Sequence, residues 1–428
     1  MRGSGLEDLI RRLRGPRTEY FLIKGKTELL DPSKYPFEKG MLPVFCKYID
    51  AKMQPLKAYI SGNRSMVFPS DSAWFKAKSI GIPFGRSSPT YKDGKLYTFF
   101  LTNASIGSGS LIWGFTEVKE ALNEVKWMKK AKELDLRVTE PVGMGIYENI
   151  FVIDLKDRSD LFSYLKRTSL EDLMNRFHKE ARKTEGACVF CWEPTDIRVD
   201  EILYAFSIPG IENILGRDDC RDYLKWLGSS CGYNLRLHHD NCIMHGTVQV
   251  GPGFMTNSHV ANHLVGEETT WITDYHMAGE VKNEDIKRME VFCLCHVMNP
   301  LPHAEVIARS RFARDEFPRF ELYELLLSPS YEAITSLGEI GLRTPKAGLT
   351  EAFIDGIELG YYKRRIFEVE SKLKRKMLRK SILIKEKIWE ILKIPKRMQR
   401  GVDYFHARLY SRKLTDQDYR ELSKAISN

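Results

Sequence analysis

MHGTVQVGPGFMTNSHVANHLVGEETTWITDY, residues Met244–Tyr275, is the stretch whose reading decides the fold. It opens on His245-Gly246 and closes on TTWIT, an apolar-centred run that reads as a strand ending at Asp274. Twelve residues before Asp274, Asn262 stands in NHLV, just ahead of a turn at GEE. An asparagine, a strand, a turn and a second strand ending in aspartate place two oxygen donors at the open end of one hairpin. Such donors suit a hard cation such as Mg2+. Taken singly, Asp274 reads as a strand-end cap and Asn262 as a turn residue; with His245-Gly246 upstream they read as a metal pair. The residue after His245-Gly246 is Thr247, and fourteen residues separate it from Asn262.

The surrounding chain has 428 residues, 43% hydrophobic and 29% charged, an ordinary globular composition with length for two or three compact units or one two-lobed domain with extensions. No run of eighteen apolar residues occurs, so no membrane span is expected. MRGSGLEDLIRRLRG lacks the apolar centre of a signal peptide, and the expected location is cytoplasmic. The eight cysteines then read as reduced thiols behaving as small hydrophobes. Cys188-x-x-Cys191 with Cys293-x-Cys295 is the one zinc alternative, and its second pair lacks the spacing of a knuckle.

Residues 1–40 read as an N-terminal extension with a short amphipathic start at Leu6, Leu9, Ile10 and Leu13. Residues 41–165 read as a strand-rich lobe: AYISG, SMVF, SAWFKAK and KLYTFFLT are short runs bounded by turn residues, and KDGK is a tight turn. Within it, Thr116–Leu134 has helical spacing, with Val118, Leu122, Val125, Met128 and Leu134 as its apolar face and Thr116 as a cap. LRVTEPVGMG and ENIFVIDL read as strand, turn and strand. Residues 166–360 read as a helical lobe; Ser169 opens one helix as a capping box, and 220–238 form another with Leu224, Leu227, Cys231 and Leu235 in register. Residues 361–428 read as a basic helical extension. Lys363–Arg400 holds fifteen Lys/Arg and four Asp/Glu, a net +11 against +9 for the whole chain, so the rest is near neutral at −2. Ile366, Val369, Leu373, Met377, Ile382, Ile384, Ile388 and Leu392 give 361–400 an apolar stripe, which predicts a helix packed on the second lobe with its lysines solvated. The alternative is electrostatic contact with an acidic partner, nucleic acid or a membrane surface. The order of elements predicts an α+β, two-lobed protein-kinase-like fold.

Chemistry on ATP needs a lysine for the phosphates, a carboxylate to hold that lysine, and Asp and Asn for Mg2+. Lys78 ends WFKAK on the strand before the first long helix; Lys76, on the same face, is its rival. Glu124 lies mid-helix with Trp127 and Met128 three and four residues on, so no helix-surface ion pair is open to it on that side. Glu117 and Glu120 compete for the same role.

These segments resemble selenoprotein O, a family of protein adenylyltransferase pseudokinases. WFKAKSIGIPFGR followed by KDGK is similar to that family's Lys-Gly-x-Gly, Pro-Tyr-Ser-Arg-like and Asp-Gly-Arg runs, which maps Lys78 onto the phosphate lysine and makes Arg86 a nucleotide-binding candidate. NEVKWMKKAKELDLRVTEPVG resembles its helix and following turn, mapping Glu124 onto the paired glutamate. MHGT, ANHLV and WITDY resemble its His-Gly-Val, Asp-Asn-Met and Ile-Asp-Tyr-Gly, mapping Asn262 and Asp274 onto the Mg2+ ligands. The resemblance implies that ATP binds flipped and that AMP is transferred to a protein hydroxyl. The family's proposed base, an aspartate before the metal asparagine, is Ala261 here, and His259 in the insert is the candidate replacement. Three readings stay open: an ATP- and Mg2+-dependent adenylyltransferase; a phosphotransferase, whose His-Gly-Asp loop Thr247 contradicts; and an inactive pseudokinase scaffold, which Thr247 and Ala261 favour.

Overall fold

The computed structural model describes residues 17–48, 53–61, 64–70, 73–83, 87–103, 110–208, 210–250, 253–281, 283–295, 349–393 and 414–427. The chain is α+β and divides into two compact units, one of residues 16–130 and 139–194, the other of residues 1–15, 131–138 and 195–428.

The first unit is built on one sheet. Its strands are β1 (Thr18–Lys24), β2 (Lys26–Leu29), β3 (Met41–Val44), β4 (Lys47–Tyr48), β5 (Leu56–Ile60), β6 (Ser65–Pro69), β7 (Trp74–Lys78), β8 (Thr90–Lys92), β9 (Lys95–Leu101), β10 (Leu111–Ile112), β11 (Glu140–Leu155) and β12 (Arg182–Glu193). Their order is β3-β1-β5-β6-β7-β12-β11-β9-β8-β4, with β10 on β9 and β2 on β11. β7 lies mid-sheet, antiparallel to both β6 and β12. Alternation along β7 turns Phe75 and Ala77 into a core with Phe45, Ile60, Met66 and Phe190, and puts Lys76 and Lys78 on the other face. KDGK makes the β8–β9 turn, with Asp93 and Gly94 at φ 50° and 74°, the left-handed pair that such a hairpin requires.

β11 is a single 16-residue strand rather than strand, turn and strand. A bulge between Tyr147 and Ile150 sets Glu148 and Asn149 out to solvent while pairing with β12 resumes on either side. The first long helix, α1 (Val118–Glu133), also buries a different face from the expected one. Leu122 is 48% exposed and Leu134 lies at the surface, while Ala121, Glu124, Trp127, Met128 and Ala131 are buried. The buried face contains a carboxylate, so hydrophobic spacing alone points the wrong way. Two further helices, α2 (Arg158–Arg167) and α3 (Leu170–Glu180), complete the unit; Ser169 caps α3 by accepting from the Asp172 N–H at 3.0 Å.

The second unit holds α4 (Val199–Phe206), α5 (Glu212–Leu215), α6 (Arg217–Asp240), α7 (Glu284–Cys295), α8 (Leu349–Lys363), α9 (Ser371–Ile391) and α10 (Asp416–Ser427). Its short strands are β13 (Ile243–Met244), β14 (Thr247–Val250), β15 (Gly253–Thr256), β16 (His263–Val265), β17 (Thr270–Ile272) and β18 (Gly279–Glu280), paired β13–β18, β14–β15 and β16–β17. α6 and α8 pack backbone to backbone: a Cβ at Gly228 would overlap the Phe353 carbonyl, and one at Gly360 the Ser229 carbonyl.

The expected single helix over 361–400 is instead broken. α8 stops at Lys363, Arg364 turns left-handed at φ 52°, and the Phe367 N–H donates to Ser229 Oγ at 2.8 Å before α9 begins. Met377, Leu378, Ile382, Ile384, Ile388 and Trp389 of α9 are buried. Several of its cations are paired rather than simply solvated: Lys374 with Glu268 at 3.0 Å, Lys376 with Asp219 at 2.6 Å, and the buried Lys385 with Glu201 at 2.9 Å. Among the described residues no helix is long and apolar enough to cross a membrane.

Candidate functional site

In the sheet unit, Lys78 Nζ lies 3.0 Å from both carboxylate oxygens of Glu124. The lysine side chain is 13% exposed and the glutamate 4%. A carboxylate this deep is destabilising unless paired, and a bidentate contact fixes the ammonium in one place. The rival residues are occupied elsewhere. Lys76 pairs with Glu193 at 2.7 Å, the two side chains 3% and 0% exposed. Glu120 accepts from the Thr116 hydroxyl at 2.7 Å and Glu117 from Ser110 at 3.1 Å. Ser79 follows Lys78 at φ 64°, fully buried, and its hydroxyl has no hydrogen-bond partner. A left-handed non-glycine backbone directly follows the paired lysine, and strain of this kind tends to collect at functional sites. Arg86 lies outside the described residues.

In the helical unit, β16 and β17 form the hairpin that the TTWIT reading expects, with His263 opposite Ile272. One residue outward, the Thr273 N–H donates to the Asn262 carbonyl at 3.0 Å, and Asp274 follows in the left-handed region at φ 69°. The hairpin is fixed on both sides, Val265 N–H donating to Ile197 O at 2.9 Å and Ile272 N–H to Arg137 O at 3.0 Å. Asn262 is buried. Its Nδ2 donates to Asn257 O at 3.0 Å and Asn257 Oδ1 at 2.9 Å, and lies 3.3 Å from His259 Nε2. With acceptors around Nδ2, Oδ1 is left toward the Arg198 guanidinium, 3.4 Å away. Asp274 Oδ1 meets His276 Nδ1 at 2.6 Å, and the Asp274 carbonyl accepts from Asn257 Nδ2. The structure therefore brings Asn262, Asp274 and His259 together, and separately Lys78 and Glu124.

The His-Gly loop has its own anchor. The Glu290 carboxylate on α7 is fully buried and accepts from the His245 N–H at 3.1 Å, the Gly246 N–H at 2.7 Å and His239 Nε2 at 2.8 Å. Burial pushes its pKa up, but His239, His245 and the Gly246 N–H outweigh burial and hold it below the usual range. His245 donates from Nε2 to the Thr273 carbonyl at 2.8 Å, and burial lowers its pKa. Burial, aided by His245, pushes His259 down to about 3. That keeps its imidazole neutral but makes it a weak base, since a general base works best with a pKa near the working pH.

The donors suit Mg2+ better than zinc. Asp274 and the Asn262 amide oxygen are hard ligands, and Mg2+ commonly binds one or two carboxylates plus phosphates and water. Two contacts compete with a cation there: the Arg198 guanidinium at 3.4 Å from Asn262 Oδ1, and His276 Nδ1 at 2.6 Å from Asp274 Oδ1. Among the described residues no group of three or more His, Cys, Asp or Glu could hold a metal. Cys188 and Cys191 are buried thiols, and burial pushes Cys188 up to about 12. The Cys293 and Cys295 side chains lie outside the described residues.

Asn257, Glu290, His276 and Arg198 were not singled out by the sequence reading. A signal existed for Asn257: VQVGPGFMT alternates about GPG, which is a hairpin pattern whose return strand delivers the next residue beside Gly246. Glu290 carried none, being one acid on a helix of mixed composition. No family model matches the chain, and no curated protein matches it.

Proposed function

We propose that this chain is an ATP- and Mg2+-dependent transferase of two-lobed, protein-kinase-like fold that moves AMP onto a protein hydroxyl. The observation that carries the reading is the bidentate pair between Lys78, on a central strand, and the buried Glu124 of α1. A strand lysine clamped by a helix carboxylate is how kinases hold ATP phosphates. In this reading Lys78 holds phosphate, Glu124 fixes Lys78, and Asp274 with Asn262 holds the metal. Mg2+ supplies neutralisation of the phosphate charge. The acceptor oxygen attacks the α-phosphorus, the bond from that phosphorus to the bridging oxygen breaks, pyrophosphate leaves, and the hydroxyl proton passes to a base.

The preference for AMP over phosphoryl transfer is what the resemblance to selenoprotein O implies, a family that, like this chain at Thr247, lacks the kinase aspartate after His-Gly. A second reading, a scaffold without turnover, is favoured by Arg198 at 3.4 Å from Asn262 Oδ1. Calorimetric titration of the full chain with ATP, with and without Mg2+, separates the transferase from a scaffold that has lost ATP, and a turnover assay separates it from a scaffold that keeps ATP. The transferase reading expects Mg2+-dependent binding, weakened at least ~10-fold in Lys78→Met and made insensitive to Mg2+ in Asp274→Ala. If the unmodified chain does not bind ATP, the transferase reading fails.

A further inference from the structure

Between Thr247 and Asn262 the chain carries fourteen residues, where a protein kinase has four between its aspartate and asparagine. The insert is not a loose loop at its base. Thr247 pairs with Thr256 across β14 and β15, and the next residue, Asn257, donates its N–H to the Gly246 carbonyl at 2.6 Å. The hairpin therefore returns the chain to the point where it left. Asn257 is buried there, and its amide is used at both ends: Nδ2 donates to the Asp274 carbonyl, and Oδ1 accepts from Asn262 Nδ2 at 2.9 Å. Its own carbonyl takes a second bond from Asn262 Nδ2 at 3.0 Å and one from the His259 N–H at 2.9 Å. One residue thus ties together the His-Gly loop, the asparagine and the aspartate.

We infer that Asn257 is the positioning residue of the Asn262–Asp274 pair, supplied by an insert that stands where the His-Gly loop lacks its aspartate. Two jobs follow from the bonds. By donating to the Asp274 carbonyl, Asn257 fixes the orientation of the peptide that follows Asp274, whose own backbone is left-handed at φ 69°. By accepting from Asn262 Nδ2, it decides which side of that amide is left as an oxygen donor. The inference rests on the metal-binding reading of the pair and adds the residue that orients it.

The test uses the full-length chain with ATP and Mn2+ as the probe, Mn2+ binding being read by electron paramagnetic resonance. Asn257→Ala should weaken Mn2+ by roughly 10–100-fold, the usual effect of losing a partner that orients a ligand. Affinity for ATP in EDTA should stay near that of the parent. Asn257→Ser, too short to reach the Asp274 carbonyl, carries the same expectation and serves if the alanine variant does not fold. Unchanged Mn2+ affinity in both variants, with loss in Asp274→Asn, overturns the inference. Should the parent bind no Mn2+ with ATP, the metal reading itself fails. Hydrogen exchange across residues 272–278 then decides the positioning claim: faster exchange confined to that stretch in Asn257→Ala upholds it, and an unchanged pattern overturns it.

Discussion

Lys76 and Lys78 sit two residues apart on one face of β7, and their partners give them different work. Lys76 is sealed against Glu193 inside the sheet unit, whereas Lys78 retains some exposure beside Glu124. Removing one member of a buried pair strands the other charge, which costs ~3–5 kcal/mol. Lys76→Met should therefore destabilise the chain by about that amount in urea unfolding, and adding Glu193→Leu should restore most of it. Glu124→Gln should instead leave a folded protein with AMP transfer reduced by about 10²-fold, since a small misplacement of a phosphate ligand is enough for that loss. Comparable destabilisation of both single variants would undo the distinction. Asp200 gives a second residue-scale expectation. Burial and the neighbouring Glu201 raise its carboxyl from 3.8 to about 6, against Arg198 and Lys385. A carboxyl with a raised folded value is neutral at no cost below pH 3.8, and destabilises the fold increasingly as the pH rises to about 6. Asp200→Asn should be more stable than the parent by up to roughly 3 kcal/mol at pH 8, with little difference at pH 4, when denaturant midpoints are compared. Equal gains at both values would show that ionisation is not the cause. Lys78, Asn262 and Asp274 stand out in the sequence because each lies at an end of a periodic element, and Glu124 because it lies mid-helix with no ion-pair partner three or four residues on. Asn257 and Glu290 act on backbone carbonyls and N–H groups, which side-chain patterns do not report.

Periodicity identified most elements correctly and misjudged what their faces bury. α1 was legible as a helix, but its inner face holds Glu124 between Ala121 and Met128, so counting apolar positions chose the outer Leu122 and Leu134. LRVTEPVGMG and ENIFVIDL read as strand, turn and strand, whereas β11 runs through both and a bulge absorbs Glu148 and Asn149 within continuous pairing. The basic tail shows the opposite balance. Its stripe does pack inward, while left-handed Arg364 and the Phe367–Ser229 bond split it into α8 and α9, and neither feature has a hydrophobic signature. The stripe, not the charges, holds α9 in place. Ile388→Ala should cost ~2–5 kcal/mol by leaving a cavity. Lys376→Ala, which breaks a surface pair with Asp219, should cost under ~1 kcal/mol. Equal losses from the two, in parallel thermal melts, would contradict this ranking.

At the scale of the whole molecule, the sequence separates a near-neutral body from a tail of +11. Arg364, Lys374, Lys376 and Arg379 of that tail face Asp240, Glu268, Asp219 and Glu267 of the body. Much of the apparent basic surplus is thus balanced inside the helical unit, which weakens the case for nucleic acid as its partner. The most direct test of AMP transfer is transfer of label. The purified chain, Mg2+ and a mixture of cellular proteins as acceptors would be incubated with ATP labelled at the α-phosphate and, in parallel, at the γ-phosphate. The expected result is label on protein hydroxyls from the α position alone, lost in Asp274→Ala. Label from the γ position alone, or from neither, would contradict the proposal that AMP is the group transferred.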